Sequence, residues 1–324
     1  MLVRDVYNEK TIGREPTRNG YGAALVELGR KNKNIVVLTG DLAESTRAQM
    51  FQAKYPERFF DVGVAEQNMM GVAAGLALTG KIPFVSSYAV FSPGRNWDQL
   101  RVSVCYSRAN VKIIGAHTGL SVGPDGATHQ ALEDIAITRC LPNLTVIAPC
   151  DVHETKKAIF AAAKIAGPVY IRLAREATPA FTTPNTDFQV GRADILRRGH
   201  HVSIIGCGPI LYEALQAAHS LSQEGIEAEV INCHTIKPID HKTIIASAKK
   251  TEAVVTVEEH QIIGGLGSAV AEVLSAHYPV PLKMIGVRDT FGESGTPNEL
   301  MIKYGLDRNQ IIDTVRRMMK SLLK

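Results

Sequence analysis

The sequence predicts an α/β protein of two domains, each a sandwich containing a parallel sheet. Three observations lead there. Short β-branched runs alternate with segments of helical period, the order a parallel sheet requires because each crossover needs a helix. The 324 residues are long enough for two domains that each bury a core. Apolar residues make up 45% and charged residues 21%, the balance of a globular chain rather than a disordered one.

Taken in order, Asn19 to Asn32 places Tyr21, Leu25 and Leu28 on one helical face behind Thr17-Arg18. Ile35-Val36-Val37-Leu38-Thr39 reads as a buried parallel strand running into a Gly40-Asp41 turn. A strand at 59–62 leads to a helix at 65–79, and a strand at 82–86 to a helix around 95–107. A strand at 111–116 precedes a helix from about 128, a strand at 144–148 precedes one from 151, and a strand at 169–173 closes the set. Thr182-Thr183-Pro184-Asn185-Thr186-Asp187 is polar, contains proline and serves as the linker, dividing the chain into domains 1–185 and 186–324. Beyond it come a strand and turn over His201–Pro209, a helix at 210–224, a strand at 226–231, a helix at 240–250 and a strand at 253–257. Glu258-Glu259-His260 follows, and Gly264-Gly265-Leu266-Gly267 opens another helix. A glycine-rich turn before a helix can hold a phosphate, but as an isolated motif it is weak, and there is no Walker lysine.

Composition narrows the function. A net charge of +4 with scattered basic residues speaks against nucleic acid; the cluster Arg316-Arg317-Met318-Met319-Lys320 reads as a solvated helix end. No apolar run approaches a membrane span, and the charges in Met1-Leu2-Val3-Arg4-Asp5 sit where an export signal needs an apolar core. Cys105, Cys140, Cys150, Cys207 and Cys233 form no C-x-x-C pair, so buried free thiols in a reducing cytoplasm are expected.

Polar residues with chemical potential collect at predicted carboxyl ends of strands, where open α/β sheets bind ligands: Asp41, Tyr88, His117 and Arg175. Glu66 enters an almost wholly apolar helix, where burying an anion is costly, so it should be protonated or partnered. A plain first-turn glutamate favoured by the helix dipole is the simpler reading. The loop Gly115 to Gln130 joins four glycines and a proline to His117, Asp125 and His129, groups that can hydrogen-bond and move protons. Two histidines and an aspartate on one loop favour recognition of a polyol or phosphate over a surface turn. Tyr88 and Phe91 are core aromatics by default and a slot for a heteroaromatic ring otherwise.

Asp61-Val62-Gly63-Val64-Ala65-Glu66-Gln67, Ser87-Tyr88-Ala89-Val90-Phe91 and Gly123-Pro124-Asp125-Gly126-Ala127-Thr128-His129-Gln130 together closely resemble the pyrimidine-binding domain of transketolase. Gly40-Asp41-Leu42-Ala43-Glu44-Ser45 does too, and order and spacing agree over essentially the whole chain. The resemblance implies a thiamine-diphosphate pyrimidine-binding domain followed by a transketolase C-terminal domain. It implies that Glu66 is the glutamate that hydrogen-bonds N1′ of the cofactor, through a carboxyl kept protonated near neutrality. Tyr88 and Phe91 match the aromatics around the pyrimidine, Tyr88 replacing the family's common phenylalanine, and Asp41 lies near the cofactor. His129 matches the residue beside the substrate's C1 hydroxyl, and with Glu66 forms the catalytic pair; Asp125 matches the reader of the C2 hydroxyl. Arg18, Ser45, His117 and Arg175 match the grip on the sugar phosphate, chemistry suited to forked guanidinium donors.

The family's metal-binding Gly-Asp-Gly with a later Asn is missing; Gly40-Asp41 and Asp125-Gly126 lack the full pattern. The resemblance therefore implies the C-terminal subunit of a split transketolase, with no metal ligand assigned in this chain. An N-terminal subunit would bind Mg2+ or Ca2+ with the diphosphate, in an α2β2 heterotetramer acting on sugar phosphates. Deoxyxylulose-phosphate synthase shares the Asp-x-Gly-x-Ala-Glu-Gln run, and a 2-oxo-acid dehydrogenase β subunit shares length and domains. His129-Gln130-Ala131-Leu132-Glu133-Asp134 fits transketolase better than either. A non-catalytic relative that keeps only the fold is a further alternative, opposed by retention of Glu66, both histidines, Asp125 and the arginines.

Overall fold

The computed structural model describes residues 2–322. The first predicted helix forms over Thr17–Lys31 and buries Tyr21, Leu25 and Leu28. Its Tyr21 hydroxyl is hydrogen-bonded to Ser86 under the main sheet. That sheet has seven strands, in the order Thr235–Lys237, Thr145–Ile147, Val169–Arg172, Lys112–Ala116, Ile82–Tyr88, Ile35–Thr39, Phe59–Asp61. The predicted first-half strands all lie in it and all run parallel. Ile35–Thr39 and Lys112–Ala116 are buried at every position, as central parallel strands covered on both faces must be.

The second sheet has the order Leu282–Val287, Val254–Gln261, Val202–Gly206, Ala228–Asn232, Asp194–Arg197, with only the last strand antiparallel. The helices Leu211–Ser222, His241–Thr251, Leu266–His277 and Arg308–Leu322 accompany it. A short ribbon, Arg14–Pro16 against Ala177–Pro179, closes the start of the chain onto the end of the first half.

The two halves are more interwoven than the sequence suggests. Thr235–Lys237, deep in the second half, pairs antiparallel with Thr145–Ile147 and forms an edge of the first sheet. The apolar core runs through the seam, with Ile113 and Tyr170 in one cluster with Ile205, Ile231 and Leu266. A buried ion pair also crosses it: Arg172 Nε lies 2.9 Å from Asp134 Oδ2, while Arg172 Nη2 donates to the Glu259 carbonyl at 2.7 Å. The stretch expected as a linker is tied down. Thr182 is buried and donates from its amide and hydroxyl to Asp151, and Lys157 Nζ reaches the carbonyls of Thr183 and Thr186.

Two expectations need correction, and a third, the helix around 95–107, forms with a different winding. The helix expected from about 128 begins at Asp134, because Gly126 takes φ +73° and Thr128 bonds His129 Nδ1 instead of capping a helix. The segment around 95–107 is a turn of α-helix at Trp97–Gln99 followed by a π-helical stretch, Leu100–Tyr106. Cys140 is exposed, whereas the other four cysteines are buried; all five are free.

Candidate functional site

The strand Phe59–Asp61 ends in a carboxylate that shapes the next turns. Asp61 Oδ1 accepts the amides of Asp41 and Gly63, each at 3.0 Å. This draws the Gly40-Asp41 turn against the start of the helix Glu66–Leu78, so a Cβ on Gly40 would lie 3.8 Å from Glu66 Oε1. Asp41 itself is exposed and left-handed, at φ +61°.

Glu66 is 3% exposed, although the helix it starts is buried on one side only: Met69, Met70, Ala73 and Ala74 face inward. Its carboxylate is partnered. Arg95 Nη1 lies 3.2 Å from Oε2 and 3.4 Å from Oε1, and the Ser87 hydroxyl donates to Oε1 at 3.4 Å. Asn96 Nδ2 donates to the Glu66 carbonyl at 3.2 Å and fixes the first turn. The Arg95 guanidinium also covers the Phe91 ring, 3.9 Å from its centroid.

Phe91 begins a line of rings that leads away from Glu66. Tyr88 lies 5.9 Å from Phe91, stacked, and 4.1 Å from His117, also stacked. His129 meets both aromatics edge-on, 5.5 Å from Phe91 and 5.9 Å from Tyr88. Histidine and tyrosine thus share one slot, walled by the carboxyl ends of Ile82–Tyr88 and Lys112–Ala116.

His117 in turn opens onto a cationic corner. Arg18 Nη1 lies 3.1 Å from His117 Nε2 and donates to the Ser45 carbonyl at 2.7 Å. Burial, reinforced by Arg18 and Arg175, pushes the His117 pKa down to about 3, so the ring is neutral. Burial and then the neighbouring Arg47 and Arg175 hold Arg18 below its ordinary value. Arg18 Nε and His117 Nδ1 are buried without a hydrogen-bond partner. Arg175 Nη1 donates to the Val122 carbonyl at 2.6 Å and stands 3.8 Å from Asp125 Oδ1. Crowded cations with unused buried nitrogens form a corner suited to a multiply charged oxyanion.

Arg18, His117, Tyr88, Phe91 and His129 are therefore linked by successive contacts, Glu66 joins them through Arg95, and Arg175 with Asp125 lies within electrostatic reach of Arg18 and His117. Asp41 joins only through its turn, and Ser45 through its carbonyl. Sequence reasoning missed Arg95, although its spacing four residues beyond Phe91 was a usable sign. It also missed Asp61, which acts through the backbone of the turn. The phosphate reading of the Gly264-Gly265 turn is closed off: Glu258 accepts the amides of Leu266 and Gly267 at 2.6 and 2.7 Å, filling that helix end from within. His260 is fully buried and holds the seam, accepting the Ala136 amide at 3.4 Å.

The pattern of the transketolase pyrimidine-binding domain matches residues 15–180, and that of the transketolase C-terminal domain matches residues 191–311. The chain belongs to the transketolase family. A chain of Methanocaldococcus jannaschii named for the C-terminal section of a transketolase is 48% identical over 306 residues, covering 94% of this chain and 96% of that one. The 6-deoxy-6-sulfo-D-fructose transketolase subunit SqwH of Clostridium sp. (strain MSTE9) is 44% identical, covering 91% and 92%. Among solved structures, one described as a split gene transketolase, inactive beta4 tetramer, superposes with a TM-score of 0.88 at 49% identity, covering 94% of this chain and 98% of that one. The transketolase-like protein 2 of Mus musculus is 41% identical over 93% of this chain, which spans 48% of its length. The transketolase chain described here thus corresponds to a C-terminal subunit, in a family that depends on thiamine diphosphate.

Proposed function

We propose that this chain is the C-terminal subunit of a two-chain transketolase that moves a two-carbon ketol unit from a ketose phosphate to an aldose phosphate. The observation that carries the reading is Glu66: a buried carboxylate that meets, beside an aromatic slot, a line of rings ending at cations. The residues fit thiamine diphosphate. A pyrimidine ring needs a carboxyl and a flat apolar face, and here both Glu66 and Phe91 are covered by one half-exposed, displaceable arginine side chain. The bound cofactor would supply the electron sink for breaking and making the carbon–carbon bond.

This chain's own groups do the rest. Glu66 holds a proton at the pyrimidine N1′, Tyr88 and Phe91 flank the ring, and Asp41 borders it. His129 faces the substrate's C1 hydroxyl and exchanges a proton there, while Asp125 reads the C2 hydroxyl. Arg18, Ser45, His117 and Arg175 hold the phosphate, which would satisfy the idle Arg18 and His117 nitrogens. Mg2+ or Ca2+ and the diphosphate fall to an N-terminal partner subunit, in an α2β2 assembly. Support for a partner comes from the apolar residues left exposed around Glu66's helix, Val64 at 67% and Leu78 at 73%. The inactive tetramer of the similar β chain points the same way. We also place the protein in the cytoplasm, where five free cysteines suit a reducing compartment.

The test is Glu66→Ala in the complex reconstituted with its diphosphate-binding partner. Turnover should fall at least ~10²-fold, the scale of a lost proton-transfer group, with assembly intact. Near-normal turnover would sink the assignment. Xylulose phosphate plus ribose phosphate should be consumed, and pyruvate plus glyceraldehyde phosphate should not. A second reading concerns the anion. A subunit 44% identical is named for a sulfosugar, and the Arg18–His117–Arg175 corner recognises three oxygens on a charged centre whether sulfonate or phosphate. Paired assays with the two sugar classes decide between them.

A further inference from the structure

Three side chains outside that site converge at the seam of the two halves. Glu154 lies in the first turn of the helix Val152–Lys164, Asp194 opens the strand Asp194–Arg197, and His234 follows the strand Ala228–Asn232. One ligand atom from each lies within 4.8 Å of the others. His234 and Glu154 are 0% and 1% exposed. Asp194 Oδ2 and His234 Nε2 are buried, have no hydrogen-bond partner and stand 3.7 Å apart. That is too long for a hydrogen bond. It is near the ~3.3 Å that separates two ligands of one tetrahedral ion with bonds of ~2.0 Å.

The surroundings orient these atoms inward. His234 Nδ1 is engaged by the Thr235 hydroxyl at 2.9 Å, and that oxygen also accepts the Gly191 amide at 3.1 Å. The ring is stacked on Phe188 at 4.3 Å, which leaves Nε2 as the free donor atom. Glu154 Oε1 accepts from Asn232 Nδ2 and Oε2 from the Cys150 amide, each at 2.7 Å. Asp194 Oδ1 accepts from Arg192 Nη2 at 3.3 Å, while Oδ2 faces the histidine. Outer contacts that fix the imidazole and carboxylates are what metal sites use to present their ligands. Without an occupant, that imidazole nitrogen and carboxylate oxygen are buried with no hydrogen bond, an arrangement that costs stability.

We propose that Glu154, Asp194 and His234 bind one divalent transition-metal cation of the zinc class, with water completing the coordination. Two carboxylates and a neutral imidazole balance a dication, and a mixed N/O donor set suits zinc or its neighbours over calcium. Asp194, whose side chain is 19% exposed, marks the entry route. Glu154 belongs to the first half and the other two to the second, so the ion ties the domains together. The three are far apart in sequence, and only the fold reveals them.

The test uses the untagged full-length chain without thiamine diphosphate or partner, stripped with chelator and titrated with Co2+ and then Zn2+. One Co2+ per chain should give the visible absorption of a low-symmetry, four-coordinate site, and Zn2+ should displace it and raise the melting temperature. His234→Gln and Asp194→Asn should each lose the band and the zinc-dependent shift, and keep the unliganded fold by circular dichroism. Should His234→Gln fail to fold, the near-isosteric Asp194→Asn and the wild-type stoichiometry decide. Substoichiometric metal, or a band that survives in the variants, overturns the proposal.

Discussion

His117 carries two constraints at once: a left-handed backbone at φ +58° and a ring buried beside two arginines. Its pKa of about 3 in the fold lies below the ordinary 6.5, so the unfolded chain binds the proton more readily. Stability attributable to this group is intact above pH 6.5 and is lost as pH falls toward 3. His117→Asn, which tolerates the same backbone, should remove that loss. In urea titrations the wild type should fall relative to the variant by up to ~1.4 kcal/mol per pH unit between about pH 6 and 4. Parallel pH profiles for the two proteins would refute the neutral, buried ring. Glu66 and Arg95 make a second contrast at this scale. The carboxylate side chain is 2% exposed and the guanidinium 49%, so truncating Arg95 strands a buried charge while truncating Glu66 strands a solvated one. Discounted for that exposure, Arg95→Ala should cost ~1–2 kcal/mol in the free chain, and nothing in a Glu66→Ala background. A double-mutant cycle in denaturant measures the difference.

Among the elements, the helix Val152–Lys164 shows how a cap can lock two segments. Asp151 is fully buried; its Oδ1 accepts the Glu154 amide at 2.9 Å, and its two oxygens take the Thr182 amide and hydroxyl at 2.6 and 2.8 Å. Asp151→Ala should destabilise the chain by ~2–4 kcal/mol, a lost cap plus buried donors left unpaired. Asp151→Asn should cost less, and chemical denaturation separates the two. This lock is what sequence could not show of the linker: Thr182 and Pro184 have the composition of a loop, and the restraint on Thr182 comes from a residue some thirty positions back. Elements governed by local pattern were legible. Ile35–Thr39 and Lys112–Ala116 announce buried strands because β-branched runs between turns do so without help from the rest of the chain. Thr235–Lys237 did not, since its partner strand lies in the other half. The candidate site divides the same way. Glu66, Tyr88, Phe91 and the loop histidines stand in contiguous motifs, whereas the Glu258 carboxylate that fills the Gly265 helix end acts by folding back over the turn.

At the scale of the whole molecule, the helix Glu66–Leu78 has two apolar sides and only one of them is used. Met69, Met70, Ala73 and Ala74 enter the core, while Val72 and Leu78 are 40% and 73% exposed. Nothing lies within 4 Å of a Cβ placed on Gly71 or Gly75. The π-helical segment Leu100–Tyr106 packs beside this helix and exposes Val102 at 44% and Tyr106 at 85%. Exposed apolar side chains on neighbouring elements mark a surface that another chain covers. Because Glu66 starts this helix, the covering chain would also close the proposed cofactor slot, so assembly and catalysis should fail together. Val72→Glu and Gly75→Glu probe this without touching the core. Each places a helix-favouring residue at an exposed position, so the isolated chain should keep its stability to within ~0.5 kcal/mol. Sedimentation should nevertheless show the complex with the partner subunit weakened or lost, and turnover should fall in proportion to the complex that remains. Normal assembly by both variants would move the interface to another face and separate the exposed helix from the half-site at its start.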